Sequence, residues 1–435
     1  MANNIKENST IAKAIETIRE YIKNTTWDDK VFIIGPVIRK TLVGDTYDDD
    51  IEIYVNVMGN SGIFANFLAN ANKSTTPVVH NAQFSRVVLE NIDGENSKLG
   101  FKIMNNPREC YITVDSMEYN VSSDTLRDFN NGVSDIESQT IRACRIGDIA
   151  KKPSFILNAI SLSCETGWGI SKDTWFPMIH NAKKLETVDK RALKDDIDAI
   201  MLSEIPSIGI KRLIRCNDAL KYIFPHLFEL SINAKSLFEE SLVALDLSEN
   251  KIEDKFAALF MNVSYHNGYD KNAIKSTKIL QSANIADKTL DEFGYPESIR
   301  NKVKKLIESQ VFFLSYTNGV LPSNKNLRKL QYKSGEDLDD ILDVAHTINI
   351  SKKYGKRAAQ IPNIRRKIKE LDIKDGAHFT AKTLPINGAD IMEMFNLKPS
   401  PLIGELISKL KKTYEQNPHL TEVECYDIVK NELAF

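Results

Sequence analysis

The sequence predicts an α+β chain, a mixed β-sheet with helices on one side up to about residue 145, followed by an all-α remainder. Three observations predict it. Val31–Val55, VFIIGPVIRKTLVGDTYDDDIEIYV, reads as strand, glycine turn, short helix and second strand. FSRVVLENI, KLGFKIMN and CYITVDSME then alternate apolar and polar residues like half-buried strands. From Pro153 onward strand signals all but vanish, and helical patterns broken at Gly167, Pro206 and Pro225 replace them.

Bulk properties narrow the class. With 435 residues, 42% hydrophobic and 27% charged, the chain can bury several cores, which suggests about two to four domains. A net charge of −2 limits any nucleic-acid surface to a local patch. The five cysteines, Cys110, Cys144, Cys164, Cys216 and Cys425, form no CxxC pair, which excludes a zinc ribbon and reads as reduced core thiols. The polar start MANNIKENST and the absence of any run of about 18 apolar residues predict neither signal peptide nor membrane span, and a cytoplasmic location.

Taken in order, Ser9 or Thr10 caps a helix whose Ile11, Ile15, Ile18 and Ile22 recur at helical spacing up to Asn24. VFII is a buried strand. Gly35 permits a tight turn, and Pro36 suits a first helical position, where its missing N–H costs nothing. Val37–Leu42 is a short helix and Gly44–Asp49 an acidic loop. The second strand carries Asp50 and Glu52, which share a face roughly 6.5–7 Å apart at Cα, a place to hold a divalent metal. Gly62–Ala71 reads as helical.

Beyond Pro153, helices are expected over Ser154–Glu165, Asp173–Leu185, Arg191–Leu202, Ile208–Tyr222, Ile252–Val263, Asn272–Asn284, Ala286–Phe293, Glu297–Gln310, Asn324–Gln331 and Glu336–Ile348. Residues 351–376 form a basic patch in which Lys352, Lys353, Lys356, Arg357, Arg365 and Arg366 are candidate contacts to RNA phosphates, a solvated helix face being the plainer alternative. Three more helices follow the LPING turn within Gly388–Phe435.

This order of features resembles the class II tRNA nucleotidyltransferase and poly(A) polymerase family. FIIGPVIRKTLVG stands where that family has a glycine-rich turn, and DDDIEIYV where it has a DxD strand. SIGIKRLIRCNDALKYIFPHL resembles the neck, KFAALFMNVSYHNGYDKNAIKSTKILQSANIADKTLDEFGYPESIRNKVKKLI the helical body, and LPINGADIMEMFNLKPSPLIGELISKLKKTYEQNPHLTEVECYDIVKNEL the tail. The resemblance implies a nucleotidyltransferase head over residues 1–150, a neck over 151–230, a degenerate phosphohydrolase-like body over 231–350 and a tail over 351–435. It implies Asp50 and Glu52 as Mg²⁺ ligands and catalytic carboxylates, Gly35 and Arg39 as triphosphate contacts, CTP or ATP as substrate, and a tRNA or other RNA 3′ end as acceptor.

Departures from the family pattern oppose that reading. Pro36 replaces a second glycine, removing an N–H; Lys40 replaces an aspartate; Glu52 replaces an aspartate and adds a methylene. The RRD motif falls on Glu109–Ser116 with both arginines and the aspartate gone, although Gly132, Asp135 and Arg142 of the following layout persist. The base-reading EDxxR motif falls on Lys151, Lys152, Pro153, Ser154 and Phe155, leaving only Asn158 able to hydrogen-bond a base. Asn262–His266 stands where phosphohydrolase members carry a His-Asp pair, so no phosphohydrolase activity is expected. A third carboxylate such as Glu90 or Asp115 within metal-ligand reach would add weight to activity, whereas the position on a neighbouring strand where the wider superfamily carries it offers Lys102, able to replace a metal's charge rather than bind one. Two functions remain: nucleotide addition to RNA 3′ ends, or a catalytically impaired protein that binds RNA. A third, transfer to a small-molecule or protein hydroxyl, has no positive support.

Overall fold

The computed structural model describes residues 9–47, 49–57, 61–91, 97–105, 110–268, 274–314, 316, 320–352, 360–377, 384–417 and 420–433. The chain divides into two compact units, Met1–Asp189 with Arg215–Ala219, and Lys190–Ile214 with Leu220–Phe435. The first unit runs α1 (Ser9–Ile22), β1 (Val31–Ile34), α2 (Pro36–Val43), β2 (Ile51–Val55), α3 (Ser61–Asn72), β3 (Val79–His80), β4 (Phe84–Glu90), β5 (Lys98–Met104), β6 (Glu118–Asn120), β7 (Thr125–Arg127), α4 (Gly132–Glu137), β8 (Thr140–Ile141), α5 (Ile146–Lys151), α6 (Phe155–Thr166), β9 (Gly169–Ile170) and α7 (Lys172–Asn181).

Among the described residues, seven strands form one mixed sheet in the order β3-β4-β5-β2-β1-β6-β7, parallel only between β2 and β5. Period-two alternation decides its faces. Ile33, Ile53, Val87, Leu89, Phe101 and Ile103, each at most 2% exposed, form one core with Ile15, Ile18 and Ile22 of α1 and Phe64 and Leu68 of α3. Glu52, Tyr54, Arg86 and Lys102 therefore lie on the opposite face.

CYITVDSME is not a strand. Thr113–Asp115 is a 3₁₀ turn, Ile112 makes an isolated bridge to Ala143, and only Glu118 of this stretch enters a strand. The Thr113 hydroxyl donates to Asp135 (2.7 Å) and the Ser116 hydroxyl to the Thr113 carbonyl (2.8 Å), local bonds that compete with a ladder. Arg142 completes the latch on both Asp135 oxygens at 3.2 Å, and Asp128 accepts from the amides of Gly132 and Val133. A Cβ on Gly132 would collide with the Thr113 carbonyl, so the retained Gly132, Asp135 and Arg142 together hold this turn.

The second unit is helical: α8 (Lys194–Met201), α9 (Pro206–Arg215, whose last residue falls in the first unit), α10 (Leu220–Ile223), α11 (Pro225–Asn233), α12 (Lys235–Leu247), α13 (Ile252–Phe260), α14 (Lys275–Glu292), α15 (Glu297–Glu308), α16 (Gln310–Leu314), α17 (Asn324–Ser334), α18 (Leu338–Ser351), α19 (Gln360–Ala377), α20 (Gly388–Phe395), α21 (Pro401–Gln416) and α22 (Glu422–Leu433). Two helices expected over 272–293 are one, α14, because no Gly or Pro interrupts Ala283–Ala286. The LPING turn is a capping box: Asn387 accepts from the amides of Ala389 and Asp390, and Asp390 accepts from the Asn387 amide at 3.0 Å. Among the described residues no helix is long and apolar enough to cross a membrane.

Candidate nucleotide site

The first unit presents its chemistry on the sheet face opposite α1 and α3. Gly35 starts α2 with φ +83° and ψ −161°, a backbone state essentially reserved for glycine, and Pro36 takes the first helical position. The Ile38 amide donates back to the Gly35 carbonyl at 3.2 Å. Beside the turn lies a small cavity of about 30 Å³ that Tyr54, Asp115 and Glu118 help to line, room for roughly one water and acidic rather than basic.

Asp50 sits just before β2 rather than in it. Its two carboxylate oxygens are taken by Arg86, at 2.5 Å from Nε and 2.9 Å from Nη2. Gly100 makes the pair possible: a Cβ there would fall on the Asp50 carboxylate, within 2.6 Å of Cγ. Glu52 pairs in register with Lys102 on β5, and Lys102 with Arg86 on β4, so a glutamate, a lysine and an arginine stand side by side across three strands. The Lys102 ammonium lies 5.7 Å above the Phe84 ring.

Arg39 is 3% exposed and donates from Nε to Asp115 at 2.7 Å. Its Nη2 lies 4.0 Å from Glu165 of α6, and the Lys40 ammonium 3.2 Å from the same carboxylate. Asn158 is exposed on α6, seven residues and two turns before Glu165, so both belong to one stripe of that helix. Where the base-reading motif would stand, Lys151 pairs with Asp148 at 3.7 Å and Lys152 lies 4.4 Å above the Tyr111 ring. Glu109 lies outside the described residues.

The two other candidate carboxylates are also engaged. Asp115 holds Arg39. Glu90 accepts from the Thr76 hydroxyl and from the amide and hydroxyl of Thr75, which bring its carboxyl down to about 2. Among the described residues no group of three or more His, Cys, Asp or Glu is placed to hold a metal ion. Mg²⁺ asks for an octahedral set of oxygens. Asp50 bonded through both oxygens to a guanidinium, with Lys102 next to Glu52, does not fit a pair of such ions.

Of the basic patch, Lys353, Lys356 and Arg357 lie outside the described residues. Arg365 clamps α19 to α18 through Asp339 (2.7 Å) and Asp343 (2.6 Å). Arg366 is 72% exposed and reaches Asn363 (3.4 Å) and Glu370 (3.9 Å), while Lys352 lines a cavity of the helical unit. His266 is not isolated: its Nδ1 lies 2.7 Å from Glu229 and its ring meets that of His226 at 4.7 Å. Sequence reasoning missed Arg86 and Gly100. Their alternation within FSRVVLE and KLGFKIM was legible, but the strand order that brings them to Asp50 was not.

The comparisons agree with the frame. A family model described as "tRNA nucleotidyltransferase domain 2 putative" matches residues 273–417. Among solved structures, an apo CCA-adding enzyme is similar at 17% identity and TM-score 0.61, with 99% of this chain and 96% of that chain covered. The Bacillus stearothermophilus CCA-adding enzyme in complex with CTP is similar at 12% identity and TM-score 0.59 over 97% and 98%. The Thermotoga maritima CCA-adding enzyme complexed with tRNA is similar at 16% identity and TM-score 0.55 over 98% and 96%. No curated protein matches the chain. By fold, the chain is similar to CCA-adding enzymes.

Proposed function

We propose that the protein binds an RNA 3′ end, of tRNA or a tRNA-like partner, within a nucleotidyltransferase-like frame and does not transfer nucleotides by a two-metal route. The fold likeness supports the RNA partner, since one similar structure is a complex with tRNA. The observation that carries the loss of transfer is the Asp50–Arg86 pair seated over Gly100. Two-metal transfer requires carboxylates whose lone pairs hold the ions that clamp the triphosphate. Here a guanidinium already neutralises one of them. The replacement of the base-reading motif by Lys151 and Lys152 supports the same conclusion, because base choice needs side-chain donors and acceptors aimed at the base.

The second reading is addition of CMP or AMP from CTP or ATP, with Mg²⁺ held by Asp50 and Glu52 and the triphosphate toward Gly35 and Arg39. Arg86 is 42% exposed, which favours it to the extent that a divalent ion can displace the guanidinium. One experiment separates the two. Purified protein, Mg²⁺, radiolabelled CTP or ATP and tRNA lacking its 3′ end are incubated, and RNA binding is followed in parallel by gel shift. Salt-dependent binding without incorporation is the expected result. Incorporation that disappears in Asp50→Ala would establish the second reading instead.

A further inference from the structure

Two neighbouring helices of the helical unit are apolar on the side that faces solvent. Helices α9 and α12 run antiparallel, held by two cross-contacts: the Asp246 carboxylate accepts from the Ser207 amide at 2.9 Å, at the start of α9, and the Lys211 ammonium lies 3.7 Å from Glu239. Ile208 and Val243 stand between those contacts, one on each helix, and Leu247 follows Asp246. With Leu202 and Ile205, which precede α9, they are 39–51% exposed. The inward sides of the same helices already carry Ile210, Leu213, Leu242 and Leu245, each at most 1% exposed, so the core does not need the outer five. Helices that are apolar on both sides belong between two packed layers, and five neighbouring exposed aliphatics mark an interaction surface where single ones would not.

The charges around this face suit a second copy of the same chain. Glu204, exposed, and Arg212, half-buried, each stand four residues from Ile208 on opposite sides, and Lys211 and Glu239 add one further charge of each sign. A two-fold axis through Ile208 would set α9 of one copy antiparallel to α9 of the other. Glu204 then meets Arg212 of the second copy, twice over, and Ile205 meets the aliphatic stem of its Lys211. A face of balanced charge with opposite signs at its two ends complements itself better than it complements a uniformly acidic or basic partner. From Glu239 to Leu247 the face runs about 12 Å along the helix. That is the apolar centre of a small interface, not of the obligate kind that buries more than about 2,000 Å².

We propose that this face joins two copies of the chain in a concentration-dependent two-fold dimer with Ile208 on the axis. The proposal does not rest on the reading of the head, since every residue named belongs to the helical unit.

The test is sedimentation velocity on the full chain from about 1 to 100 μM, the range in which small interfaces associate. A monomer–dimer equilibrium is expected. Ile208→Glu sets two like charges at the axis, within an apolar contact, and should weaken association by about a hundredfold or more. Glu204→Lys, an exposed change that spares the fold, should weaken it by about tenfold, as should Arg212→Glu, and the double variant should recover it because the pair is merely reversed. This charge series still tests the proposal if Ile208→Glu fails to fold. Oxidation of Ile208→Cys should give more disulfide-linked dimer than the parent chain, because a residue on the axis meets itself. A chain that stays monomeric throughout, whose face would then fit a different protein, a dimer indifferent to Ile208→Glu, or a double variant no better than its single parents would each overturn the proposal.

Discussion

Gly100→Ala tests how the head holds Asp50. A Cβ at this position would reach within 2.6 Å of Asp50 Cγ, with Arg86 Nη2 at 3.1 Å, so the carboxylate must leave its seat and surrender both bonds to Arg86. A charge-assisted hydrogen bond contributes about 1.5–3 kcal/mol when well protected. Asp50 is 15% exposed but Arg86 42%, and water screens the exposed partner, which brings the expected loss to about 1–2 kcal/mol. Arg86→Ala removes the same pair from the other side and should cost a similar amount. Urea unfolding of the two single variants and the double variant closes the cycle. If one shared pair is at stake, the double variant loses little more than either single one. Additive losses would refute the reasoning, because they would mean that Gly100 and Arg86 act on different parts of the structure.

Three further outcomes are expected. Asp115→Ala leaves the 3%-exposed Arg39 without its 2.7 Å partner and should destabilise the head by about 3 kcal/mol in the same denaturation assay, well beyond the effect of a surface pair. Asp254, 1% exposed, finds no hydrogen-bond partner for either oxygen among the described residues; burial, reinforced by Asp340 and opposed by Lys251 and Lys302, pushes its carboxyl up to about 7. Because the folded state then holds a proton that the unfolded chain releases near 3.8, stability should fall as pH rises from about 4 to about 7; Asp254→Asn should flatten that slope, with a gain above pH 7 of up to about 4 kcal/mol. Asn387→Ala removes the oxygen that accepts from Ala389 and Asp390 and should cost about 1 kcal/mol, read as a lowered melting temperature.

Much of the frame was legible from local pattern. The Ile11–Ile22 spacing, the Gly35-Pro36 start of α2 and the LPING capping box each depend on residues within a few positions of one another, where φ/ψ limits and side-chain periodicity act directly. CYITVDSME misled because alternation is a local signal, while Thr113 bonds to Asp135 twenty-two residues on and Ile112 bridges to Ala143. Helices α11 and α12 went unread, and the break expected within α14 is absent.

The candidate site divides along the same line. By itself the sequence determined which groups exist: a glycine turn, Asp50 and Glu52 with one residue between them, a basic 351–376 segment, and motifs whose arginines and aspartates are gone. The tertiary structure decided which charges meet. Sheet order sets Glu52, Lys102 and Arg86 in one row, Gly100 makes room for Asp50 to reach Arg86, and the 3₁₀ turn delivers Asp115 to Arg39. Period-two alternation assigns each residue a face of its own strand, whereas Coulomb pairing across strands depends on register and strand order, which only the packed sheet supplies.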